Sequence, residues 1–535
     1  MEDRYSDTAG RAVLETLLSY GVTTVFGIPG THNLELYRPL AELGMHAVTT
    51  RHEQGAGYAA DGWSQQTGLP GVVITTSGPG LQNVMSAVGT AFCESRPMIV
   101  LSPGVALGDE FADRGSLHET KHATAMAGAV AEWSRRVASA TEAVAAVHDA
   151  FKLFRTGRPR PVHIEIPLDV LEAPAAVPSA DRTARDNPKG FTGTPDALAA
   201  AAGLIASAAR PVMIAGGGAT AAASEVTHLA ELLGSPVLTT LNGKGVFDEQ
   251  HELSLGASLR LAAARRVAES ADVLVVVGSK LGEAELWVPE LQPAGRVVRI
   301  DIAESQLQKN LAADVAVRGD AAAVLGELLA ILSPAKLSAK KGKLGWDLGT
   351  VRAEIARQLA EDLPETVALG ARIVQALPAN AIVAGDSSQI VYMAIANQLR
   401  LAQPHSLLYM PTYATLGYGL PAAIGARIAN QSRPVVTVIG DGALMFCVNE
   451  LMTAVEQRLD LTVVCVDNGG YAEIKQNEVD RGIRPVGVDL AQPDWVALAG
   501  AFGAVGSGVA ANGDVEGVIG AAVSAGGVQL VHVRQ

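Results

Sequence analysis

Short apolar runs punctuate this chain, and amphipathic or Ala-rich stretches fill the intervals between them. Thr8 to Tyr20 carries Ala, Val and Leu at helical spacing and predicts a helix. Apolar runs then follow at residues 22–30 (VTTVFGIPG), 71–80 (GVVITTSGPG) and 97–104 (PMIVLSPG). Their β-branched content and their Gly/Pro ends mark them as buried strands. A second group lies at residues 211–218, 236–240, 273–279 and 296–302, and a third at 381–386, 435–441, 461–468 and 528–533. Strands alternating with helices predict parallel sheets covered on both faces. Residues 174–195, rich in Pro, Ala and polar residues, and the lysine-rich residues 333–348 keep neither period and read as linkers. The fold class is therefore α/β, with three doubly wound domains at 1–175, 196–332 and 349–535, and ligands are expected at the carboxyl ends of strands.

Composition narrows the function. With 48% hydrophobic and 18% charged residues over 535 positions, the chain can bury several cores. A net charge of −14 disfavours a nucleic-acid partner, which needs a basic surface. The opening MEDRYSDTAG lacks the apolar stretch of a secretory signal. The apolar runs fall short of the roughly 20 residues of a membrane helix, so no membrane partner is expected. Cys93, Cys447 and Cys465 have apolar neighbours and no CxxC spacing. They read as buried, reduced thiols in a cytoplasmic setting.

The most specific chemistry is in the third block. Strand 435–441 runs into Gly440-Asp441-Gly442, and strand 461–468 runs into Asp467-Asn468-Gly469-Gly470-Tyr471. The 26 residues between Asp441 and Asn468 suit a turn, a helix and a returning strand, so the two strand ends can face one crevice. Mg²⁺ takes octahedral oxygen ligands, commonly one or two carboxylates plus phosphate oxygens. Asp441 offers a carboxylate oxygen, Asn468 an amide oxygen and Gly470 a main-chain carbonyl. Gly442 lets the backbone approach a phosphate, and a helix starting near Ala443 would aim free N–H groups at it. GDG alone is a common strand-ending turn. With DNGGY at this spacing, the pattern resembles the diphosphate-binding signature of thiamine-diphosphate enzymes, to which Gly440, Ala443 and Tyr471 also belong. That signature usually reads GDG followed by NN; here the first Asn is Asp467, and the usual ligand is kept as Asn468.

In the first block, RHEQGAGYAADG follows a strand ending near Arg51, and Glu53 stands where a helix begins. A Glu in a first turn ordinarily complements the helix dipole. The phrase resembles the glutamate segment of the pyruvate oxidase/acetolactate synthase group. The resemblance implies a buried Glu53 that hydrogen-bonds the aminopyrimidine ring of the cofactor, favours its imino tautomer and so promotes the ylid. TTSGPGLQN resembles that group's pyrimidine-side loop: Gly78, Pro79 and Gly80 would wall the ring and Asn83 would start the next helix. VFGIPG, HEQGAGYAADG, TSGPG, LGYGLPAAIGA and GDG–DN occur in the family's order, so the resemblance spans nearly the whole chain. It implies pyrimidine-binding, central and diphosphate-binding domains, thiamine diphosphate with Mg²⁺, and active sites between subunits of a homodimer or homotetramer. Asp386, Ser387 and Ser388 match a second diphosphate loop, and Leu416 matches the apolar residue that props the bent cofactor. A helix cap and a core leucine would explain the same residues without a ligand.

Substrate specificity is written more faintly. Thr31 and His32 in PGTHNLELY, and Leu117 and His118 in the loop GDEFADRGSLHETKH, align with the family's pocket; Thr31 and His118 are the candidates for touching the reacting groups. Glu473 and Gln476 follow the metal strand on a predicted helix, and an acid there suits a cationic substrate tail. A solvated loop His and an exposed helix Glu are the plain alternatives. SLHE, GDSSQ, GYAEIK and RGIRPVGVDL resemble the 5-guanidino-2-oxopentanoate decarboxylases. The implied reaction is decarboxylation of a 2-oxo acid through ylid and enamine intermediates. Acetolactate synthase-type carboligation and a catalytically silent binding or regulatory subunit are the alternatives. No FAD is expected, and GGGAT near residue 216 lacks the full dinucleotide spacing.

Overall fold

The computed structural model describes residues 7–186, 190–332 and 345–535. Residues 187–189 of the first predicted linker and 333–344 of the second lie outside the described residues. The chain forms two compact units, one of residues 1–188, 415–509 and 521–535, the other of 189–414 and 510–520.

Every strand predicted from an apolar run is present. In the first unit, β1 (Thr24–Gly27), β2 (His46–Thr49), β3 (Gly71–Ile74), β4 (Met98–Gly104), β5 (Trp133–Arg136) and β6 (Val162–Pro167) form a sheet of order β2-β1-β3-β4-β6-β5. Its pairings are parallel, and β1, β3, β4 and β6 are buried along their whole length. That is the expected state of strands covered by helices on both faces. In the second unit, β7 (Pro211–Ala215), β8 (Val237–Thr239), β9 (Ser254–Gly256), β10 (Val273–Val277), β11 (Arg296–Asp301) and β12 (Val315–Arg318) take the order β12-β11-β10-β7-β8-β9. The second unit also holds β13 (Ile382–Gly385) and β14 (Leu407–Leu408), paired in parallel, and the remaining strands are β15 (Val435–Gly440), β16 (Leu461–Asp467), β17 (Val505–Ala510) and β18 (Val528–Arg534). Here β15 runs parallel to β16, with Gly440 opposite Val466, and β16 parallel to β18. The GDG and DN strand ends are therefore immediate neighbours in one sheet.

Packing accounts for the glycine-rich segments. In the first unit, helix Glu53–Thr67 crosses helix Gly419–Ala429 so closely that a methyl on Gly62 would lie 2.9 Å from Ala422 Cα, and one on Gly425 2.9 Å from the Trp63 nitrogen. Beside this crossing, Arg96 donates to Asp61 (2.6 Å) and to the Tyr418 hydroxyl (2.9 Å), and Tyr418 donates to Asp61 (2.5 Å), all buried. In the second unit, the GGGAT run packs backbone on backbone: a methyl on Gly218 would stand 2.9 Å from Gly278 Cα. All three cysteines are free; Cys447 and Cys465 are buried, but Cys93 is only partly so, which corrects the expectation for that residue. No helix among the described residues is long and apolar enough to cross a membrane.

Candidate active site

Two clusters of predicted residues form in the first unit. The first surrounds Glu53, the first residue of helix Glu53–Thr67, whose cap is His52, accepting the Gln54 N–H at 3.1 Å. Glu53 is buried (7% exposed), and its Oε2 accepts a hydrogen bond from Asn83 Nδ2 at 2.9 Å. Gly80 makes this close approach possible: a methyl there would lie 3.1 Å from Glu53 Oε1 and 2.9 Å from Thr76 Cγ2. Asn83 closes the short helix Pro79–Asn83 and does not start the next one, which begins at Met85. Pro79, with its preset φ, starts the short helix, and Gly78 at φ +60° makes the turn before it. Tyr37, which the sequence did not flag, has its phenol pushed above the ordinary range by burial and then by the Glu53 charge.

His118 lies against Gly78, where a methyl would meet its carbonyl oxygen at 2.7 Å. Its ring sits 5.1 Å from that of His32, edge to face. His32 Nδ1 is 2.6 Å from Ser77 Oγ, and His118 Nδ1 is 3.4 Å from Thr76 Oγ1. Burial, and then the neighbouring His118, hold His32 below its ordinary pKa. Glu53, Asn83, Gly78, Pro79, Gly80, His32 and His118 thus converge. Thr31 and Leu117 stay exposed, Leu117 at 60%.

The second cluster surrounds Asp441, 1% exposed, at the end of β15. The helix there is a single turn, Asp441–Leu444, and begins at Asp441, ahead of the expected Ala443. Asp441 Oδ2 accepts from Gln492 Nε2 at 2.5 Å, and Oδ1 accepts from the Asn468 main-chain N–H at 3.5 Å. Gly442 faces the DN loop: a methyl there would be 2.8 Å from Tyr471 Cε1 and 3.6 Å from the Gly470 carbonyl oxygen. Gly469 and Gly470 adopt φ of +84° and +137°, a backbone region that glycine enters at little steric cost. The loop is held by Tyr471 N–H to Val488 O (2.9 Å) and Leu490 N–H to Gly469 O (3.0 Å). Asp467, where the family motif has Asn, is 2.8 Å from His532 Nε2 and accepts the Gly469 N–H at 3.0 Å.

These residues fit a hard divalent cation. Burial, and then the charge of Asp467, push the Asp441 carboxyl above its ordinary range. Gln492 Oε1 is a buried acceptor without a hydrogen-bond partner among the described residues. A cation beside Asp441 would relieve both. No group of three or more His, Cys, Asp or Glu side chains among the described residues could hold a metal. Asp441 could offer a carboxylate oxygen, and the neighbouring Asn468 and Gly470 could add amide and carbonyl oxygens, the kinds of ligand Mg²⁺ takes.

Leu416 is half-buried in the first unit, next to Gly417, where a methyl would be 2.7 Å from Phe446 Cβ. Glu473 and Gln476 are exposed on helix Ala472–Asp480; Gln476 donates to Asp480 at 2.7 Å, and partial burial raises the Glu473 carboxyl. In the second unit, Asp386 and Ser388 are buried and joined by a hydrogen bond from the Ser388 hydroxyl, with Ser387 between them.

Comparison with known proteins fits this geometry. The chain matches the thiamine pyrophosphate enzyme N-terminal TPP binding domain over residues 7–126, the central domain over 198–328 and the C-terminal TPP binding domain over 389–533. It is 38% identical to a probable 2-ketoarginine decarboxylase, AruI, of Pseudomonas aeruginosa, over 100% of this chain and 95% of that protein. A probable acetolactate synthase large subunit of Methanocaldococcus jannaschii is 30% identical, over 92% of this chain and 86% of its own. The acetolactate synthase isozyme 1 large subunit of Escherichia coli is 28% identical, over 98% and 94%. Three matched domains in order, together with a full-length relative, place the chain in the thiamine pyrophosphate enzyme family.

Proposed function

We propose that this chain is a Mg²⁺- and thiamine-diphosphate-dependent decarboxylase of a 2-oxo acid, with a 5-guanidino-2-oxopentanoate-like substrate. The observation that carries it is the buried Glu53–Asn83 pair, set beside the His32–Ser77–His118 group. When bound, thiamine diphosphate supplies the carbon that adds to the 2-oxo group and the ring that takes up the electrons left by CO₂. Asp441, Asn468 and the Gly470 carbonyl would hold Mg²⁺, and Gly442 would leave room for the diphosphate. Asp386, Ser387 and Ser388 are proposed as further diphosphate contacts, and Leu416 as the apolar prop. Glu53 would set its carboxyl against the aminopyrimidine ring, with the Asn83 amide fixing its orientation. His32 and His118 orient the substrate carboxylate and deliver the proton that completes the product. Glu473 is the candidate partner for a guanidinium tail, since a partly desolvated carboxylate pairs with that cation more strongly than a fully solvated one.

The same reading takes the chain as a cytoplasmic enzyme with domains at 1–175, 196–332 and 349–535. It also makes it a homo-oligomer: Met445, Phe446, Ile474, Val479, Ile483 and Val486 lie between 48% and 73% exposed in the segments next to the GDG and DN strand ends. Apolar exposure of that kind marks an interaction surface. The relatives described as acetolactate synthases favour carboligation as the second reading. The test is CO₂ release over a panel of 2-oxo acids, with product analysis. Fastest turnover of the guanidino acid to an aldehyde supports the proposal. Weak activity on it, with strong acetolactate formation from pyruvate, overturns it.

A further inference from the structure

Glu450 lies outside both clusters, yet it is a buried carboxylate of the first unit that takes hydrogen bonds from the main chain just ahead of Glu53. It is 1% exposed on helix Glu450–Glu456, which follows the GDG turn. Its Oε1 accepts the Arg51 N–H at 3.1 Å and the His52 N–H at 3.0 Å; its Oε2 accepts the Thr453 hydroxyl at 2.6 Å. Arg51 and His52 are the two residues immediately before Glu53. A second tie runs parallel, from the Arg51 guanidinium to Glu456 at 2.5 Å. Gly55 is bare on the side that faces Glu450: a methyl there would stand 2.7 Å from Glu450 Cδ. In each of these hydrogen bonds Glu450 is the acceptor, as a carboxylate requires.

We infer that Glu450 is a positioning residue for Glu53: by capping the main chain at Arg51 and His52, it fixes where helix Glu53–Thr67 begins and so where the Glu53 carboxyl stands. The inference rests on the role given to Glu53 above. Burial raises the Glu450 carboxyl, and the Thr453, Arg51 and His52 hydrogen bonds oppose that shift in part. Misplacing a reacting group by about 1 Å costs on the order of 100-fold in rate.

The experiment measures exchange of the proton on the reactive thiazolium carbon of thiamine diphosphate, bound to the full protein with Mg²⁺, for deuterium. Cofactor affinity by calorimetry and thermal unfolding of the cofactor-free protein are followed alongside. Glu450→Ala removes the cap. Gly55→Ala displaces the flexible end of Glu450 and keeps its chemistry, so it decides the matter should Glu450→Ala fail to fold. Both are expected to slow exchange about 100-fold with cofactor affinity within about threefold of wild type. Glu450→Gln can offer its amide oxygen to the two backbone N–H groups and its NH₂ to a rotated Thr453 hydroxyl, and is expected to stay within about tenfold of wild type. Wild-type exchange in Glu450→Ala and Gly55→Ala overturns the inference, as does equal loss in Glu450→Gln and Glu450→Ala, or loss of cofactor binding in step with exchange. Glu53→Gln is the control. If it exchanges like wild type, the role of Glu53 itself is wrong; if it is slow while the Glu450 and Gly55 variants are not, only the positioning role fails.

Discussion

Gly442→Ala isolates the contact between the GDG turn and the DN loop. Gly442 lies within the helical turn Asp441–Leu444, where alanine costs the backbone nothing, so the effect is one of space alone. The added methyl would stand 2.8 Å from Tyr471 Cε1 and 3.1 Å from Cδ1. Carbon atoms in good contact are about 3.5–4.0 Å apart, so one side must move by most of an ångström. The Tyr471 main chain is held by its N–H bond to Val488 O, and Asp441 is held by Gln492. Overpacking of this kind costs about 1–3 kcal/mol. Falling on the bound state, that corresponds to an increase of about 5- to 150-fold in the Kd of thiamine diphosphate. Calorimetric titration of the cofactor at saturating Mg²⁺, and of Mg²⁺ at saturating cofactor, measures it. The double variant Gly442→Ala/Tyr471→Ala removes the clash and is expected to recover most of the affinity, a coupling that a mutant cycle resolves. Wild-type affinity in the single variant, or simple addition in the double one, refutes the reasoning.

Three further outcomes follow from the same geometry. Gln492→Leu removes a donor from Asp441 Oδ2 and should weaken Mg²⁺ binding about 10-fold, read from the Mg²⁺ dependence of cofactor binding. Arg96→Met leaves Asp61 buried without its cation and should cost about 3–5 kcal/mol in a lowered Tm, most of it recovered in Arg96→Met/Asp61→Leu. His163 is fully buried between Ser102 and Ser134, and burial pushes its pKa down to about 3. The unfolded chain takes that proton near pH 6.5, so stability is whole above about pH 6.5 and falls by about 1.4 kcal/mol per unit toward pH 3. Urea unfolding across that range should show the slope, and His163→Phe should flatten it.

Much of the fold was legible because buried parallel strands announce themselves as apolar runs, as at 273–277 and 461–467. Strands β5, β6, β9, β12, β14 and β17 escaped notice: Trp133–Arg136 and Val505–Ala510 are partly exposed, β9 and β14 are only three and two residues long, and in β6 the buried His163 and Glu165 interrupt the apolar run. At the site, Glu53 and Asn83 were singled out through the resemblance and Asp441 and Asn468 through the GDG–DN spacing together with it; Asn83, expected to start the next helix, instead closes helix Pro79–Asn83. Gln492 and Glu450 were not readable. One reaches Asp441 across 51 positions and the other meets His52 across 398, and no local pattern encodes an encounter of that range. His32 and His118 were named separately; their pairing through Ser77 and Thr76 comes from the fold of β3 and the loop after β4.

Turnover by Glu53→Gln and Asp441→Ala, each loaded with saturating thiamine diphosphate and Mg²⁺ and set against wild type on the best 2-oxo acid of the panel, bears on the account most directly. The expected result is CO₂ release lower by about 100- to 10,000-fold in each variant with the fold intact. Release at the wild-type rate from either one contradicts it.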